Sequence, residues 1–207
     1  NFSVCENIAT LNGNTPTVGT GEWIVVSGGA SINTPNSPNT QVSNLSEGAN
    51  VFKWVISNGS CTPSEATVTV TRESANTVAD AGQPQSLCAT SATLMANNPA
   101  VGTGVWTVES GGATIINPNS NITQVNNLSV GANVYRWTIN SATCPSTFSL
   151  VTITRFAEPS VATVANDFEV CATTATLNGN SPAIGTGEWV VVSGGASVNS
   201  PNNPASQ

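Results

Sequence analysis

Short runs of alternating apolar and polar residues recur along the chain and predict β-strands. In residues 22–26, Trp23 and Val25 fall on one face of the run. In residues 51–56 the same period of two places Trp54 on the inner face with its apolar neighbours and a lysine on the outer face. A helical period of 3.6 residues occurs nowhere, so the pattern predicts an all-β protein.

The whole pattern repeats with an interval of 83 residues. Each copy has a cysteine, an Ala-Thr-Leu segment, a Gly-Thr-Gly turn, a Trp-led apolar run and a Ser-Gly-Gly-Ala ending, over residues 5–30, 88–113 and 171–196. Seven short strands separated by turns rich in Gly, Pro and Asn predict tandem antiparallel β-sandwiches of the immunoglobulin-like type. The predicted domains are repeat 1 (1–73), repeat 2 (74–156) and the N-terminal part of repeat 3 (157–207).

Tryptophan is the predicted core anchor of every repeat. It recurs on the inner face of the third strand and, in the complete repeats, of the sixth strand as well. The predicted anchors are Trp23, Trp54, Trp106, Trp137 and Trp189.

The five cysteines follow the same interval: Cys5, Cys61, Cys88, Cys144 and Cys171. Because each complete repeat holds two of them, we expect the disulfides Cys5–Cys61 and Cys88–Cys144. Closing either 56-residue loop would stabilise its repeat by about 4 kcal/mol. Disulfides indicate an oxidising, extracellular location.

Repeat 3 is incomplete, because it ends at the counterpart of the fifth strand. We expect Cys171 to have its partner outside this sequence, at the 83-residue register of Cys144. Two interpretations stay open: the sequence is part of a longer chain, or a neighbouring chain donates the missing strands.

Charge narrows the possible partners. Four Lys and Arg stand against eleven Asp and Glu, with a net charge of −7, so no basic patch is available for nucleic acid or anionic lipid. No apolar run approaches the roughly 20 residues that span a bilayer, so no membrane insertion is expected.

Candidate chemistry is sparse. The sequence has no His, so we predict no catalytic residues, no metal ligands, no cofactor and no enzymatic activity. Junctional calcium is disfavoured, because Asp80 and Asp167 do not occupy equivalent positions. Lys53 and Arg136 share one outer-face position and form a candidate contact surface; a charge that discourages edge aggregation is the alternative interpretation.

One family resemblance covers the chain repeat by repeat. The string Ala-Asp-Ala-Gly-Gln-Pro-Gln-Ser-Leu-Cys, then Gly-Thr-Gly-x-Trp, Ser-Gly-Gly-Ala and Gly-Ala-Asn-x-Tyr-Arg-Trp resembles the PKD-like, immunoglobulin-like repeats of large Bacteroidota surface proteins. The resemblance implies a non-catalytic repeat of a gliding-motility adhesin, stalk or surface filament exported by type IX secretion. Its implied partners are neighbouring repeats and other copies in a fibre. A module that binds surface glycans or proteins, or an accessory repeat of a secreted enzyme, is the alternative.

Overall fold

The structure, a computed structural model, describes residues 1–207 and contains strands but no helix. The strands of repeat 1 are β1 (Phe2–Val4), β2 (Ala9–Asn12), β3 (Thr20–Ser27), β4 (Ser31–Ile32), β5 (Asn39–Ser43), β6 (Gly48–Ser57) and β7 (Ser64–Arg72). Those of repeat 2 are β8 (Gln85–Leu87), β9 (Ser91–Met95), β10 (Thr103–Ser110), β11 (Thr114–Ile115), β12 (Ile122–Asn126), β13 (Gly131–Asn140) and β14 (Thr147–Arg155).

Both repeats fold into the same pair of sheets. In repeat 1 one sheet has the order β1-β7-β6-β3 and the other β2-β5-β4. In repeat 2 the orders are β8-β14-β13-β10 and β9-β12-β11. All pairings are antiparallel except that the first strand of each repeat runs parallel to the last. This order is that of an immunoglobulin-like sandwich, so the fold class predicted from the sequence is confirmed: tandem Ig-like, PKD-like β-sandwiches.

Paired tryptophans fill the centre of each sandwich. Trp23 on β3 lies directly opposite Trp54 on β6, with ring centroids 5.1 Å apart, and Trp106 and Trp137 repeat the arrangement at 5.1 Å. All four side chains are buried. Tilted aromatic pairs at this separation stabilise a core beyond the area that they bury.

The Gly-Thr-Gly turn is explained by the tryptophan that packs on it. A Cβ atom added at Gly21 would collide with the ring of Trp54, and one added at Gly104 would collide with the ring of Trp137. Only glycine lets the start of β3 and β10 lie this close to the indole. The repeated glycine therefore has a packing role.

A buried asparagine in each repeat holds the turn before the sixth strand. Asn50 is fully buried; its Oδ1 accepts a hydrogen bond from the Ser46 amide at 3.1 Å, and its Nδ2 donates to the Ser46 carbonyl at 2.8 Å. Asn133 makes the same bonds to Ser129 at 3.1 and 2.8 Å. Because a buried amide must be satisfied, these residues fix the turn conformation.

Residues 157–207 form no strand ladder and a single bridge, between Val164 and Gly179. The third strand of the other repeats pairs with the sixth, and these residues contain no counterpart of the sixth strand. Trp189 is therefore only partly buried. Its indole still donates to the carbonyl of Pro204 at 3.2 Å, the counterpart of the Pro38 carbonyl to which Trp23 donates in repeat 1.

Candidate functional site at the repeat junction

The parallel pairing of the first and last strands decides where the cysteines lie. On β1, Val4 is opposite Arg72, the last residue of β7, so Cys5 lies at the end of the sandwich from which the chain leaves towards repeat 2. Cys61 lies in the turn before β7 begins at Ser64. Nine residues of strand separate the two ends, which is about 30 Å at ~3.3 Å per residue.

The predicted disulfides Cys5–Cys61 and Cys88–Cys144 are therefore wrong in this structure. Disulfide-bonded cysteines have Cα atoms within about 7 Å of each other, far less than the length of the last strand. Repeat 2 has the same geometry, because Leu87 on β8 is opposite the end of β14. The sequence pattern gives the right number of cysteines per repeat but not the strand direction that separates them.

The disulfide instead crosses the junction between repeats. Cys5 of repeat 1 is bonded to Cys144 in the turn between β13 and β14 of repeat 2, with Cα atoms 5.0 Å apart. Asn76 in the connecting segment donates to the carbonyls of Cys144 at 3.3 Å and Pro145 at 2.8 Å. Cys144 and Asn76 are both buried, so covalent and hydrogen bonds converge on one contact.

The connecting segment then continues as part of repeat 2. Ala79 and Ala81 are buried in the core of that repeat. The Ala79 amide donates to the Thr147 hydroxyl at 3.0 Å, and this hydroxyl donates to the Thr77 carbonyl at 2.7 Å. The connection between the two sandwiches is thus short and is held along its length.

Cys61, Cys88 and Cys171 have free, exposed thiols. Cys61 is in the same turn of repeat 1 as Cys144 is in repeat 2, and Cys88 follows β8 as Cys5 follows β1. We call Cys5, Cys88 and Cys171 the first cysteines and Cys61 and Cys144 the turn cysteines. The one disulfide joins a first cysteine to the turn cysteine of the next repeat.

The candidate contact surface of Lys53 and Arg136 carries no free positive charge. Lys53 pairs with Glu65 on β7 at 3.0 Å, whereas Arg136 pairs with Glu109 on β10 at 2.9 Å. The Arg136 guanidinium also lies over the ring of Phe148, 4.4 Å from its centroid. Half-exposed ion pairs of this kind contribute up to about 1 kcal/mol each.

The outer sheet faces of the two repeats differ in polarity. In repeat 2, Phe148 and Leu150 are about half exposed beside Arg136. Their counterparts in repeat 1, at the 83-residue interval, are Glu65 and Thr67. At these two positions of the last strand the outer face is apolar in repeat 2 and polar in repeat 1, whereas on the third strand it is repeat 1 that exposes apolar side chains, Ile24 and Val26.

Burial changes the pKa of the core residue Tyr135. Its side chain is fully buried, and burial raises the pKa of its hydroxyl to about 12. The hydroxyl has no hydrogen-bond partner, and the counterpart in repeat 1 is Phe52. Tyr135 therefore belongs to the core and not to a reactive site.

No three His, Cys, Asp or Glu side chains lie together as a metal site requires. The chain also has no helix of the length and apolarity needed to cross a membrane.

Sequence reasoning missed three elements of the junction and core: Asn50 and Asn133, the linker residue Asn76, and the cross-repeat pairing. Asn50 and Asn133 could have been identified from the sequence. An asparagine in the inward phase of two otherwise apolar strands, at the same place in both repeats, indicates a buried amide with a structural role.

Comparison with known proteins finds no matching family model and no similar protein among curated sequences. Among solved structures, the chain is similar to the PKD domain from the KIAA 1837 protein, with 26% identity over 40% of this chain and 91% of that domain and a TM-score of 0.35. Murine CEACAM1b is 15% identical over 75% of this chain and 96% of its own, with a TM-score of 0.44. The insect immune protein hemolin, described with implications for homophilic adhesion, is 11% identical over 74% of this chain and 44% of its own, with a TM-score of 0.44.

The strand order itself defines the class: a tandem array of Ig-like, PKD-like β-sandwiches. A disulfide that joins two such sandwiches is typical of extracellular proteins.

Proposed function

We propose that the chain is a non-catalytic spacer of an extracellular adhesin, stalk or fibre of the gliding-motility type found on Bacteroidota cells. Its repeats, 1–73, 74–156 and the first part of a third at 157–207, would transmit force in series. The partners in this role are neighbouring repeats and, in a fibre, other copies of the chain.

The junction carries this proposal. A covalent bond between Cys5 and Cys144 restrains the two sandwiches, and Asn76 ties the linker to the same turn. A bond across a junction limits how far two domains can swing apart or be pulled apart, which is what a load-bearing spacer requires. The resemblance of the repeat motif to Bacteroidota surface repeats provides the biological setting.

Small-angle X-ray scattering tests the spacer role. Two sandwiches placed end to end, with strands of about 33 Å, have a radius of gyration near 25 Å, and residues 157–207 continuing from one end should raise the value for the 207-residue chain above this. A compact 207-residue globule would give about 17 Å. The chain in which Cys144 is replaced by serine is the matched control, because it retains both sandwiches but lacks the bond. A compact particle for the unmodified chain would contradict the spacer role.

A binding module is the second candidate, and the outer face of repeat 2 favours it. Phe148 and Leu150 beside Arg136 form an exposed surface of the kind that holds a protein or a glycan. A glycan array and a cell-binding assay with the unmodified chain and with Phe148→Glu, the residue of repeat 1, test this function. Equal, specific binding by both chains would place the binding surface elsewhere, and no binding would leave the spacer role.

A further inference from the structure

We propose that the disulfides of this array form a relay. In this relay the first cysteine of each repeat forms a disulfide bond with the turn cysteine of the repeat that follows. Cys88 is then a bonding site for the turn cysteine of repeat 3, and Cys61 is a bonding site for the first cysteine of a repeat placed before repeat 1. This inference goes beyond the spacer function, since the pairing is the same whether the array bears load or binds a ligand.

The positions of the cysteines on their sandwiches carry the inference. The Glu73 amide donates to the Val4 carbonyl at 2.9 Å beside Cys5, and the Phe156 amide donates to the Leu87 carbonyl at 2.8 Å beside Cys88. Each first cysteine is thus fixed by the same strand pairing, next to the point where the chain leaves the repeat. A turn cysteine of the next repeat reaches Cys5 at that point, and a cysteine placed 83 residues after Cys144 would reach Cys88 in the same way.

Two of the three free thiols, those of Cys61 and Cys88, lie at the ends of their sandwiches where the proposal requires them. Cys61 lies in the turn at the end of repeat 1 that faces away from repeat 2, and Cys88 lies at the end of repeat 2 that faces repeat 3. Both thiols are exposed, and each can therefore meet a cysteine of another repeat. The length of the last strand keeps either from a cysteine of its own repeat.

The start of repeat 3 shares one feature with the start of repeat 2, the repeat that receives Cys5. The Ser160 hydroxyl accepts hydrogen bonds from the amides of Ala183 and Ile184 at 3.0 Å. In repeat 2 the hydroxyl of Thr77, 83 residues earlier, accepts the equivalent pair at 2.9 Å. The segment that leads from repeat 2 into repeat 3 therefore reproduces this pair of bonds, whereas Pro159 stands at the position of Asn76 and cannot repeat its side-chain bonds to the turn of the next repeat.

The bonding step is thiol–disulfide exchange with a disulfide of an oxidoreductase. One cysteine thiolate attacks that disulfide to give a mixed disulfide and releases one enzyme thiol. The thiolate of the second cysteine then displaces the enzyme, forming the S–S bond between repeats. The two cysteines lose two protons and two electrons, and the oxidoreductase disulfide is reduced to a dithiol.

The first experiment uses the chain with Cys144→Ser, refolded in glutathione redox buffer, alkylated and mapped by mass spectrometry. The relay predicts that Cys5 becomes open to alkylation or to a mixed disulfide with glutathione, and that Cys61 stays unbonded to it. A Cys5–Cys61 peptide would overturn the proposal. This result does not depend on a third repeat that folds.

The second experiment completes repeat 3 by appending a copy of residues 125–156 after Gln207, the counterpart of Gln124. The appended turn cysteine then has two candidate partners, Cys88 under the relay and Cys171 under pairing within a repeat. The relay predicts a bond to Cys88 and a drop in Cys88 alkylation of about tenfold or more. The matched control carries serine in place of the appended cysteine and should leave Cys88 fully reactive. A bond to Cys171, or Cys88 that stays reactive in both chains, would overturn the proposal.

Discussion

Reducing the disulfide between Cys5 and Cys144 should greatly lengthen the chain when it is stretched from its termini. The bond closes a loop with a sequence separation of 139 residues. With the loop closed, force passes from Cys5 directly to Cys144, and residues 6–143 cannot be extended even after both sandwiches unfold. At ~3.6 Å per extended residue, the hidden length is about 500 Å.

The same loop contributes to thermodynamic stability. On the chain-entropy relation, closing 139 residues stabilises the pair of sandwiches against joint unfolding by about 5 kcal/mol. The effect applies to both repeats together, because neither can gain its full unfolded entropy while Cys5 and Cys144 are joined. Loss of the bond should therefore lower the denaturant midpoint of repeat 1 and of repeat 2.

Single-molecule force spectroscopy measures the length directly. We expect the contour length after complete unfolding to increase by about 500 Å when dithiothreitol is added. The Cys5→Ser chain should show the full length without reductant, which is the matched control. Bonds within repeats would instead hide two 56-residue loops of about 200 Å each, so that the Cys5→Ser chain would recover only about 200 Å without reductant; that result would refute the cross-junction bond.

Three further predictions concern the cores. Gly104→Ala should destabilise repeat 2 by about 1–3 kcal/mol, because the added methyl group meets the Trp137 ring. The control, Gly187→Ala, should leave the Tm unchanged, because no atom lies within 4 Å of the added Cβ. Equal Tm values for the two variants would contradict the packing role of Gly104. Tyr135→Phe should stabilise repeat 2 by about 1 kcal/mol in urea titrations at pH 7, because the buried hydroxyl has no partner. It should also abolish a loss of stability as pH rises from about 10 towards 12, since the unfolded chain ionises at the ordinary tyrosine pKa while the folded pKa is about 12; an unchanged alkaline profile would contradict this. Asn133→Ala should lower the free energy of unfolding of repeat 2 by about 3 kcal/mol, because it leaves buried backbone groups without hydrogen-bond partners. A denaturant midpoint equal to that of the unmodified chain would show that the turn does not need the Asn133 amide.

The interval of 83 residues and the period-two pattern were sufficient to predict the strands, the sandwiches and the inward face of the tryptophan runs in repeats 1 and 2. These features depend on local alternation and on repetition, which can be read along the chain. The buried Asn50 was accessible to the same reasoning but was overlooked, because a polar residue in an apolar phase looks like an interruption. Asn76 had no such signal, since its partners lie about 70 residues away in the next repeat.

The sequence by itself determined that cysteines recur in two places per repeat. It did not determine which two meet, because spacing along the chain carries no information about strand direction. Only the parallel pairing of β1 with β7 places Cys5 at the far end of the sandwich from Cys61. A strand about 30 Å long separates cysteines that belong to one repeat, whereas the junction brings Cys5 within 5.0 Å of Cys144 between Cα atoms. The tertiary structure thus decided that the covalent bond joins neighbouring repeats.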